Sequence, residues 1–387
     1  MTSRWAFHHP VHIRFGRKII EQLPNVLEPK KTLLITTPGT TERGLTGKIR
    51  SLIDSTDLLV FDGVDSRPTI METDRQASPF RDRAIQQIIA VGGGSALDTG
   101  KLWSVLLHPE ADSFDLNHHL KKQSPFPNLD PLSLITIPTT GGSGAEVTPF
   151  ASAWDPEIPK KYSLSHPCLY PETSLVDPEL TTTLPLETTV AGALDALSQC
   201  LESMWNKNAR PLTDSLVADG ASLVIDHLPE LYRKLKENDE ADRLRAPLSE
   251  ASLRSGIGIS QTHTAICHSI SYPLTAHFNM PHGLACGITL PAVWKLNQRE
   301  APERMEDIAL QLGAPEAQSF HEKLLKMFEF IEMERWYKKY ISDRESLVSH
   351  SDKMFTPERA GNHIVPIDHE TLQQILSETH RLCGGGA

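Results

Sequence analysis

Three side chains that could bind a metal ion are found in the second half of the chain. Asp195 lies in the segment DALSQ, which has helical periodicity, and His268 and His282 follow far downstream. A carboxylate and two imidazoles presented by facing helices suit a divalent metal ion such as Fe²⁺ or Zn²⁺. Gln199 follows Asp195 by four residues, so both side chains share one face of the predicted helix. These residue types indicate a metal centre, although a single histidine taken alone is more often structural.

Two glycine-rich loops, each directly after a predicted strand, are found in the first half of the chain. The first is GGGSALDTGK at residues 92–101, and the second is TTGGSGAEVT at residues 139–148. Glycine lets the backbone approach a ligand closely, and N–H groups at a helix N-terminus favour a pyrophosphate. Two such loops at the carboxyl ends of strands indicate a dinucleotide site at a topological switch point. For the first loop alone, the alternative is a tight strand-to-helix turn without a ligand.

The elements that must carry these residues differ between the two halves of the chain. Apolar runs at residues 31–37, 51–61, 84–91 and 132–138 predict strands that alternate with helices, as in a parallel sheet. After about residue 185 helical periodicity dominates, with helices predicted at 189–204, 212–234, 246–276 and 367–382, the last capped by Asp368. We therefore predict an α/β dinucleotide-binding domain over residues 1–185. A helical metal- and substrate-binding domain is predicted over residues 186–387.

Composition excludes several classes of protein. The chain of 387 residues carries 38 Lys+Arg against 49 Asp+Glu, a net charge of −11, which argues against a nucleic-acid binder. No apolar stretch reaches the roughly 20 residues of a membrane span. Residues 1–16 lack the layout of a secretion signal, so a cytoplasmic enzyme is expected. The five scattered cysteines contain no CxxC pair, which predicts neither a disulfide framework nor a Cys-based zinc site.

The two loops resemble the GGGSxxDxxK and PTTxGTGSEV motifs of the iron-containing (group III) alcohol dehydrogenase family. Identical positions in the first motif are Gly92, Gly93, Gly94, Ser95, Asp98 and Lys101. In the second motif they are Pro138, Thr139, Thr140, Gly142, Gly144, Glu146 and Val147, with conservative changes at Ser143 and Ala145. The resemblance extends over nearly the whole chain. It implies the dehydroquinate synthase-like fold of group III alcohol dehydrogenases, an α/β nucleotide-binding domain followed by an all-α domain, and a homodimer.

The same resemblance implies a set of residues that hold NAD(P)H. These are Gly92, Gly93, Gly94, Ser95, Asp98, Thr139, Thr140 and Ser143, with Lys161 near the nicotinamide ribose. Members that use NAD often carry an acidic residue at the end of an early strand, where it binds the ribose 2′-hydroxyl. Thr37 stands at that position, so no carboxylate repels a 2′-phosphate and NADPH is admissible. The alternative is loose discrimination between the two cofactors.

The metal site departs from the family pattern at two positions. The family uses one Asp and three His as ligands, and Asp195, His268 and His282 match, but Gln199 replaces a histidine. An amide oxygen is a weaker donor to iron or zinc, so Gln199 is expected to be a weak ligand, or the site has lost its metal. Tyr272 replaces a histidine that the family uses as a proton relay. His277 or His263 could take over this relay, or either could be an ordinary packing or surface residue.

Four segments narrow the resemblance to the phosphonoacetaldehyde reductase (hydroxyethylphosphonate dehydrogenase) branch: FASAWD, KKYSL, DALSQCLESMWN and SYPLT. A phosphonate dianion needs cationic partners, and Arg254 and His277 are the candidates, unless Arg254 is only a solvated helix charge. The expected reaction is transfer of a hydride from NAD(P)H to an aldehyde polarised by the metal. The alternatives are a general short-chain alcohol or aldehyde dehydrogenase, a sugar-phosphate cyclase-like lyase, and an inactive metal-free binding protein.

Overall fold

The computed structural model describes residues 4–53, 57–111, 115–122, 129–155, 157–158 and 160–384. The chain forms two compact units. One unit contains His9–Thr140 and Ala145–Thr181, and the other contains the residues up to His8, the segment Gly141–Gly144 and the residues from Thr182 onward. The predicted fold class, a parallel-sheet α/β region followed by a helical region, is confirmed.

A six-stranded parallel sheet forms the centre of the first unit. Its strands are β1 (His12–Phe15), β2 (Thr32–Ile35), β3 (Leu58–Phe61), β4 (Gln87–Gly92), β5 (Ser133–Pro138) and β8 (Thr173–Val176). Their order is β1-β8-β5-β4-β2-β3, and an antiparallel pair, β6 (Phe150–Asp155) and β7 (Lys160–Ser165), stands beside it as a separate sheet. Every residue of β2 and β4 is buried, as expected for parallel strands covered on both faces.

The sheet register brings the starting points of the two glycine-rich loops together. Gly92 at the end of β4 pairs with Pro138 at the end of β5. Both loops therefore leave the carboxyl edge of the sheet from neighbouring strands, where open α/β sheets bind their ligands. The helices of this unit are α1 (Pro38–Glu42), α2 (Leu45–Leu52), α3 (Ile70–Ala77), α4 (Gly94–Leu106) and α5 (Leu116–Lys122).

The second unit is built from helices. They are α6 (Leu186–Met204), α7 (Pro211–Lys236), α8 (Arg245–Thr262), α9 (Ile266–Phe278), α10 (His282–Gly287), α11 (Leu290–Glu300), α12 (Pro302–Gln311), α13 (Ala317–Phe330), α14 (Met333–Tyr340), α15 (Arg344–Val348), α16 (Pro357–Ala360) and α17 (His369–Cys383). Trp205, Trp294 and Phe320 pack in one buried core, with ring centroids 6.1 and 4.4 Å apart. Among the described residues, no helix is long and apolar enough to cross a membrane.

Most predicted elements are confirmed, and one helix is corrected. The predicted strands correspond to β2, β3, β4 and β5, and three predicted helices correspond to α6, α7 and α17. Asp368 caps α17 by accepting a hydrogen bond from the N–H of Thr371 at 2.8 Å. The single helix predicted over 246–276 is wrong, because His263 adopts a φ of 61° and separates α8 from α9. Neither a glycine nor a proline stands at this break, so nothing in the sequence pattern indicates that the helix ends there.

Candidate metal centre and cofactor loops

Asp195, His268 and His282 are brought together in the helical unit. They project from α6, α9 and α10, and their ligand atoms form a cluster with Cys286 in which all four atoms lie within 4.8 Å of one another. The Nε2 atom of His268 is 3.4 Å from Oδ1 of Asp195. Helix α10 can approach α6 so closely because Gly283 has no side chain: a Cβ there would lie 1.8 Å from the carbonyl oxygen of Ala191.

A buried carboxylate fixes the orientation of His268. The Nδ1 atom of His268 lies 2.5 Å from Oε2 of Glu202, and Glu202 also accepts the backbone N–H of Cys267 at 2.6 Å. Burial raises the pKa of the Glu202 carboxyl, but the charge and hydrogen bonds of His268 outweigh it and hold that pKa below its usual range. With Nδ1 donating to an ionised carboxylate, Nε2 is left as the donor atom for a metal ion.

His282 is held between a hydroxyl and an aromatic ring. Ser271 donates its hydroxyl proton to the carbonyl of His268, so its oxygen can accept from Nδ1 of His282 at 3.3 Å. The ring of Tyr272 stacks on the imidazole, with centroids 5.6 Å apart and an interplanar angle of 10°. Both metal-facing histidines thus have a fixed ring position before any ligand binds.

Gln199 turns its amide nitrogen, not its oxygen, towards Asp195. Its Nε2 donates to Oδ1 of Asp195 at 3.1 Å and to the carbonyl of Ser143 at 3.3 Å, while its oxygen accepts from the hydroxyl of Ser255 at 2.7 Å. The reverse amide orientation would set the oxygen of Gln199 against two other oxygens, so the observed orientation is the favourable one. Gln199 therefore adjoins the cluster through a donor group.

The two cations predicted to bind substrate are not in the cluster. The guanidinium of Arg254 binds Glu250 at 2.7 Å and Asp219 at 3.1 Å on the α7 and α8 surface. His277 is nine residues after His268 on α9, which corresponds to about 13 Å along the helix axis. Its ring lies 4.9 Å from that of His350 instead.

Arg359 is a cation that contacts a neighbour of the cluster. Its guanidinium carbon lies 4.8 Å from the centroid of the Tyr272 ring, and its Nη1 donates to the hydroxyl of Thr264 at 2.5 Å. Tyr272 itself stacks on His282, so the cation and a candidate metal ligand contact the same aromatic ring.

The first glycine-rich loop leads into the N-terminus of α4. Gly93 is the residue before that helix, and no side chain caps the first turn, so its backbone N–H groups present an anion-binding end. A Cβ on Gly93 would lie 3.3 Å from the side chain of Thr140. Thr139 joins the loops by donating its N–H to the carbonyl of Gly92 at 2.9 Å, and Ser95 donates to the carbonyl of Ser66 at 2.8 Å.

The second loop divides between the two units. Thr139 and Thr140 belong to the sheet unit, whereas Ser143 belongs to the helical unit, where its carbonyl accepts from Gln199. The structure therefore brings Gly92, Gly93, Gly94, Ser95, Thr139 and Thr140 together at the sheet edge. Thr37 joins them from the end of β2, where its hydroxyl accepts the N–H of Thr40 and caps α1.

A group of buried charges supports α4. Asp98 accepts the N–H of Ser152 at 3.1 Å, and burial raises the pKa of its carboxyl against the opposing charges of Lys101 and Lys161. Lys101 donates to the carbonyl of Phe150 at 2.8 Å, and burial lowers its pKa to about 8. Burial also raises the pKa of Glu146 to about 7. These hydrogen bonds join α4 to β6.

Sequence reasoning missed three residues near the cluster. Glu202 is seven residues after Asp195 and so on the same helix face, and Cys286 is four residues after His282, spacings that could have indicated both. Arg359 carries no such signal, because it lies far along the chain from Tyr272 and meets it only in the folded protein.

Family models match both parts of the chain. The model for the iron-containing alcohol dehydrogenase matches residues 10–178, and the model for the C-terminal part of the Fe-containing alcohol dehydrogenase family matches residues 189–380. The NADPH-dependent butanol dehydrogenase of Clostridium saccharobutylicum is 32% identical over 312 residues, 79% of this chain and 78% of the relative.

Solved structures agree in fold over nearly the whole chain. A sulfoacetaldehyde reductase from Bifidobacterium kashiwanohense in complex with NAD⁺ is 25% identical, covers 99% of this chain and 100% of its own, and has a TM-score of 0.86. An iron-containing alcohol dehydrogenase from Thermotoga maritima is 26% identical, with 97% and 99% covered and a TM-score of 0.83. The chain belongs to the iron-containing alcohol dehydrogenase family and is an NAD(P)-dependent, metal-dependent alcohol or aldehyde oxidoreductase.

Proposed function

We propose that this protein reduces a small aldehyde to a primary alcohol with NAD(P)H at a divalent metal ion bound by Asp195, His268 and His282. The observation that carries the proposal is the convergence of these three donors within 4.8 Å, with His268 oriented by the buried carboxylate of Glu202. The bound metal polarises the carbonyl group, and the nicotinamide supplies the hydride. The donor set of one carboxylate and two imidazoles suits such an ion.

The chain's own residues have three tasks in this reaction. Glu202 binds Nδ1 of His268 and so directs Nε2 of the same ring towards the metal. The uncapped N-terminus of α4, entered through Gly93, binds the pyrophosphate of the cofactor. Tyr272, stacked on His282, carries a hydroxyl that can relay a proton to the product oxygen.

The substrate that we propose is phosphonoacetaldehyde, and Arg359 is the residue that recognises its anionic end. A guanidinium offers five N–H donors and binds phosphonate oxygens in a bidentate manner. Arg359 and the candidate ligand His282 contact the same ring, that of Tyr272, so a guanidinium lies close to the proposed metal site. The similarity to a sulfoacetaldehyde reductase supports an anionic two-carbon aldehyde.

NADPH is the cofactor that we propose. Thr37 presents a hydroxyl rather than a carboxylate at the end of β2, so nothing there repels a 2′-phosphate. The similarity to an NADPH-dependent butanol dehydrogenase supports this choice.

Steady-state kinetics with matched aldehydes test the substrate proposal. We expect kcat/KM for phosphonoacetaldehyde to exceed that for propanal, with one reduced nicotinamide consumed per turnover; turnover without net consumption would indicate a lyase instead. Arg359→Met should lower kcat/KM for phosphonoacetaldehyde roughly 10–100-fold, the value of a charged hydrogen bond, and leave propanal nearly unchanged.

The matched control is Arg254→Met, which removes a cation that is already bound to Glu250 and Asp219. It should change neither substrate's kcat/KM appreciably. Equal losses for both aldehydes in Arg359→Met would contradict recognition of the anion, and a preference of the wild type for propanal would favour a general short-chain aldehyde dehydrogenase.

A further inference from the structure

Resting on the metal centre proposed above, we infer that its fourth protein ligand is the thiolate of Cys286 and that Gln199 does not bind the metal. The metal would then be held by one carboxylate oxygen, two imidazole nitrogens and one sulphur. Three observations carry this inference: the position of Cys286, the orientation of Gln199 and the chemistry of the donor set.

Cys286 is in the right place for a ligand. It lies one turn after His282 on α10, which puts both side chains on the same face. Its Sγ is 3.8 Å from Nε2 of His282, and the four donor atoms of the cluster are all within 4.8 Å of one another. Bonds of zinc to nitrogen and sulphur at tetrahedral angles imply donor separations of about 3.3–3.6 Å, so only small side-chain movements are needed to close the site.

The side-chain amide of Gln199 makes hydrogen bonds to protein groups at both its nitrogen and its oxygen. Its amide nitrogen donates to Asp195 and to the carbonyl of Ser143, and an N–H donor cannot bind a cation. Its oxygen accepts from Ser255, on the side of the amide away from Asp195. Gln199 is therefore a positioning residue that holds the Asp195 carboxylate in place, which a neutral hydrogen-bond donor can do.

The chemistry of the donor set changes the metal that the site prefers. A thiolate is a softer donor than an imidazole, and together with the Asp195 carboxylate it balances the charge of a divalent ion. Sulphur ligation favours Zn²⁺ over Fe²⁺ in a mixed nitrogen and oxygen site. A substrate oxygen would then enter as a fifth ligand, which zinc accepts.

Substitution with Co²⁺ tests the inference through a spectrum rather than through activity. Co²⁺ bound to a thiolate has an intense sulphur-to-metal charge-transfer absorption in the near ultraviolet, and Co²⁺ bound only to oxygen and nitrogen lacks it. The wild-type protein with one equivalent of Co²⁺ should have this absorption, and Cys286→Ser should lose it.

Two control variants separate the roles of the neighbouring residues. Cys200→Ser removes another fully buried free thiol, located on α6 outside the cluster, and should keep the absorption. Gln199→Ala should also keep it, while Co²⁺ binds roughly tenfold more weakly because Asp195 is no longer oriented. Loss of the absorption in Gln199→Ala, with Co²⁺ still bound, would contradict the inference.

A measurement on the wild type alone avoids any dependence on how the variants fold. X-ray absorption of the Zn²⁺ protein should reveal one sulphur scatterer at about 2.3 Å from the metal. Stoichiometric metal without a sulphur neighbour overturns the Cys286 assignment and leaves the proposed function intact. Failure to bind either Zn²⁺ or Co²⁺ overturns both.

Discussion

The Nδ1 atom of His268 lies 2.5 Å from Oε2 of Glu202, a carboxylate with no exposed surface. This pair joins α9 to α6 and fixes the imidazole whose Nε2 faces Asp195. A carboxylate behind a ligating histidine raises the basicity of the imidazole as well as orienting it. The family pattern of ligands does not include this carboxylate, yet the geometry of the metal centre depends on it.

Glu202→Gln should therefore weaken metal binding while the ligands themselves are unchanged. The amide keeps a neutral hydrogen bond to His268 but loses the charge, and we expect the metal dissociation constant to rise roughly 10–100-fold. Competition with a chelating dye measures it. Asp214→Asn is the control, because Asp214 is another buried carboxylate of this unit, bound to Arg304 at 2.6 Å. An equal loss of metal in both variants would mean that general destabilisation is responsible.

Gly93→Val should weaken cofactor binding. A Cβ at position 93 would lie 3.3 Å from the side chain of Thr140, and the two methyl groups of valine would add further bulk next to the N-terminus of α4. We expect the NADPH dissociation constant to rise roughly tenfold or more, which corresponds to about 1.4 kcal/mol. Fluorescence titration measures it. Gly47 is exposed on α2, and a Cβ there would have no atom within 4 Å. Gly47→Val is therefore the control and should leave the NADPH dissociation constant unchanged.

Thr37→Asp should shift cofactor preference from NADPH towards NADH. Aspartate is as good a helix cap as threonine, so the hydrogen bond to the N–H of Thr40 and the start of α1 should survive. The new charge repels a 2′-phosphate and can accept from a 2′-hydroxyl. The ratio of kcat/KM for the two cofactors measures the shift. Thr37→Asn keeps the cap without the charge, and the same shift in that variant would rule out the electrostatic explanation.

The sequence predicted the parts of this fold that depend on local pattern. Buried β4 and β5, the glycine loops after them and the cap at Asp368 all follow from adjacent residues. Strands β1, β6, β7 and β8 were missed; β1 and β8 pair with each other, and each contains only two apolar residues. They lack the apolar run that marks the equally short strands β2 and β3, in which three or all four residues are apolar.

The metal site was predictable only in part, because only some of its residues belong to a known sequence pattern. The sequence indicates Asp195, His268 and His282, whereas Cys286 does not belong to a CxxC pair, the spacing typical of a Cys-based site. Its partner in the cluster is a histidine one helical turn away. Of the two partners of Arg254, Glu250 is four residues earlier on the same helix and is predictable from spacing, whereas Asp219 lies on the neighbouring helix and is not.

The last prediction concerns Glu146, a buried carboxyl group within the second glycine-rich loop. Burial raises its pKa from 4.5 to about 7, with the charge of Lys101 opposing the shift. A raised pKa means that the folded protein binds the proton more tightly than the unfolded chain does. The stabilisation is therefore complete below about pH 4.5 and is lost as pH rises through about 7.

Glu146→Gln replaces the carboxyl group with a neutral amide of the same shape, so this pH dependence should disappear. The free energy of unfolding of the wild type, minus that of the variant, should fall by roughly 1–3 kcal/mol between about pH 5 and about pH 7. Denaturant unfolding at several pH values measures the difference, and this window lies below the pKa of about 8 of Lys101. Glu42→Gln, an exposed carboxylate on α1, should give a flat difference. If the Glu146→Gln difference is equally flat, Glu146 is already ionised in the folded protein at pH 5, and burial does not control its protonation.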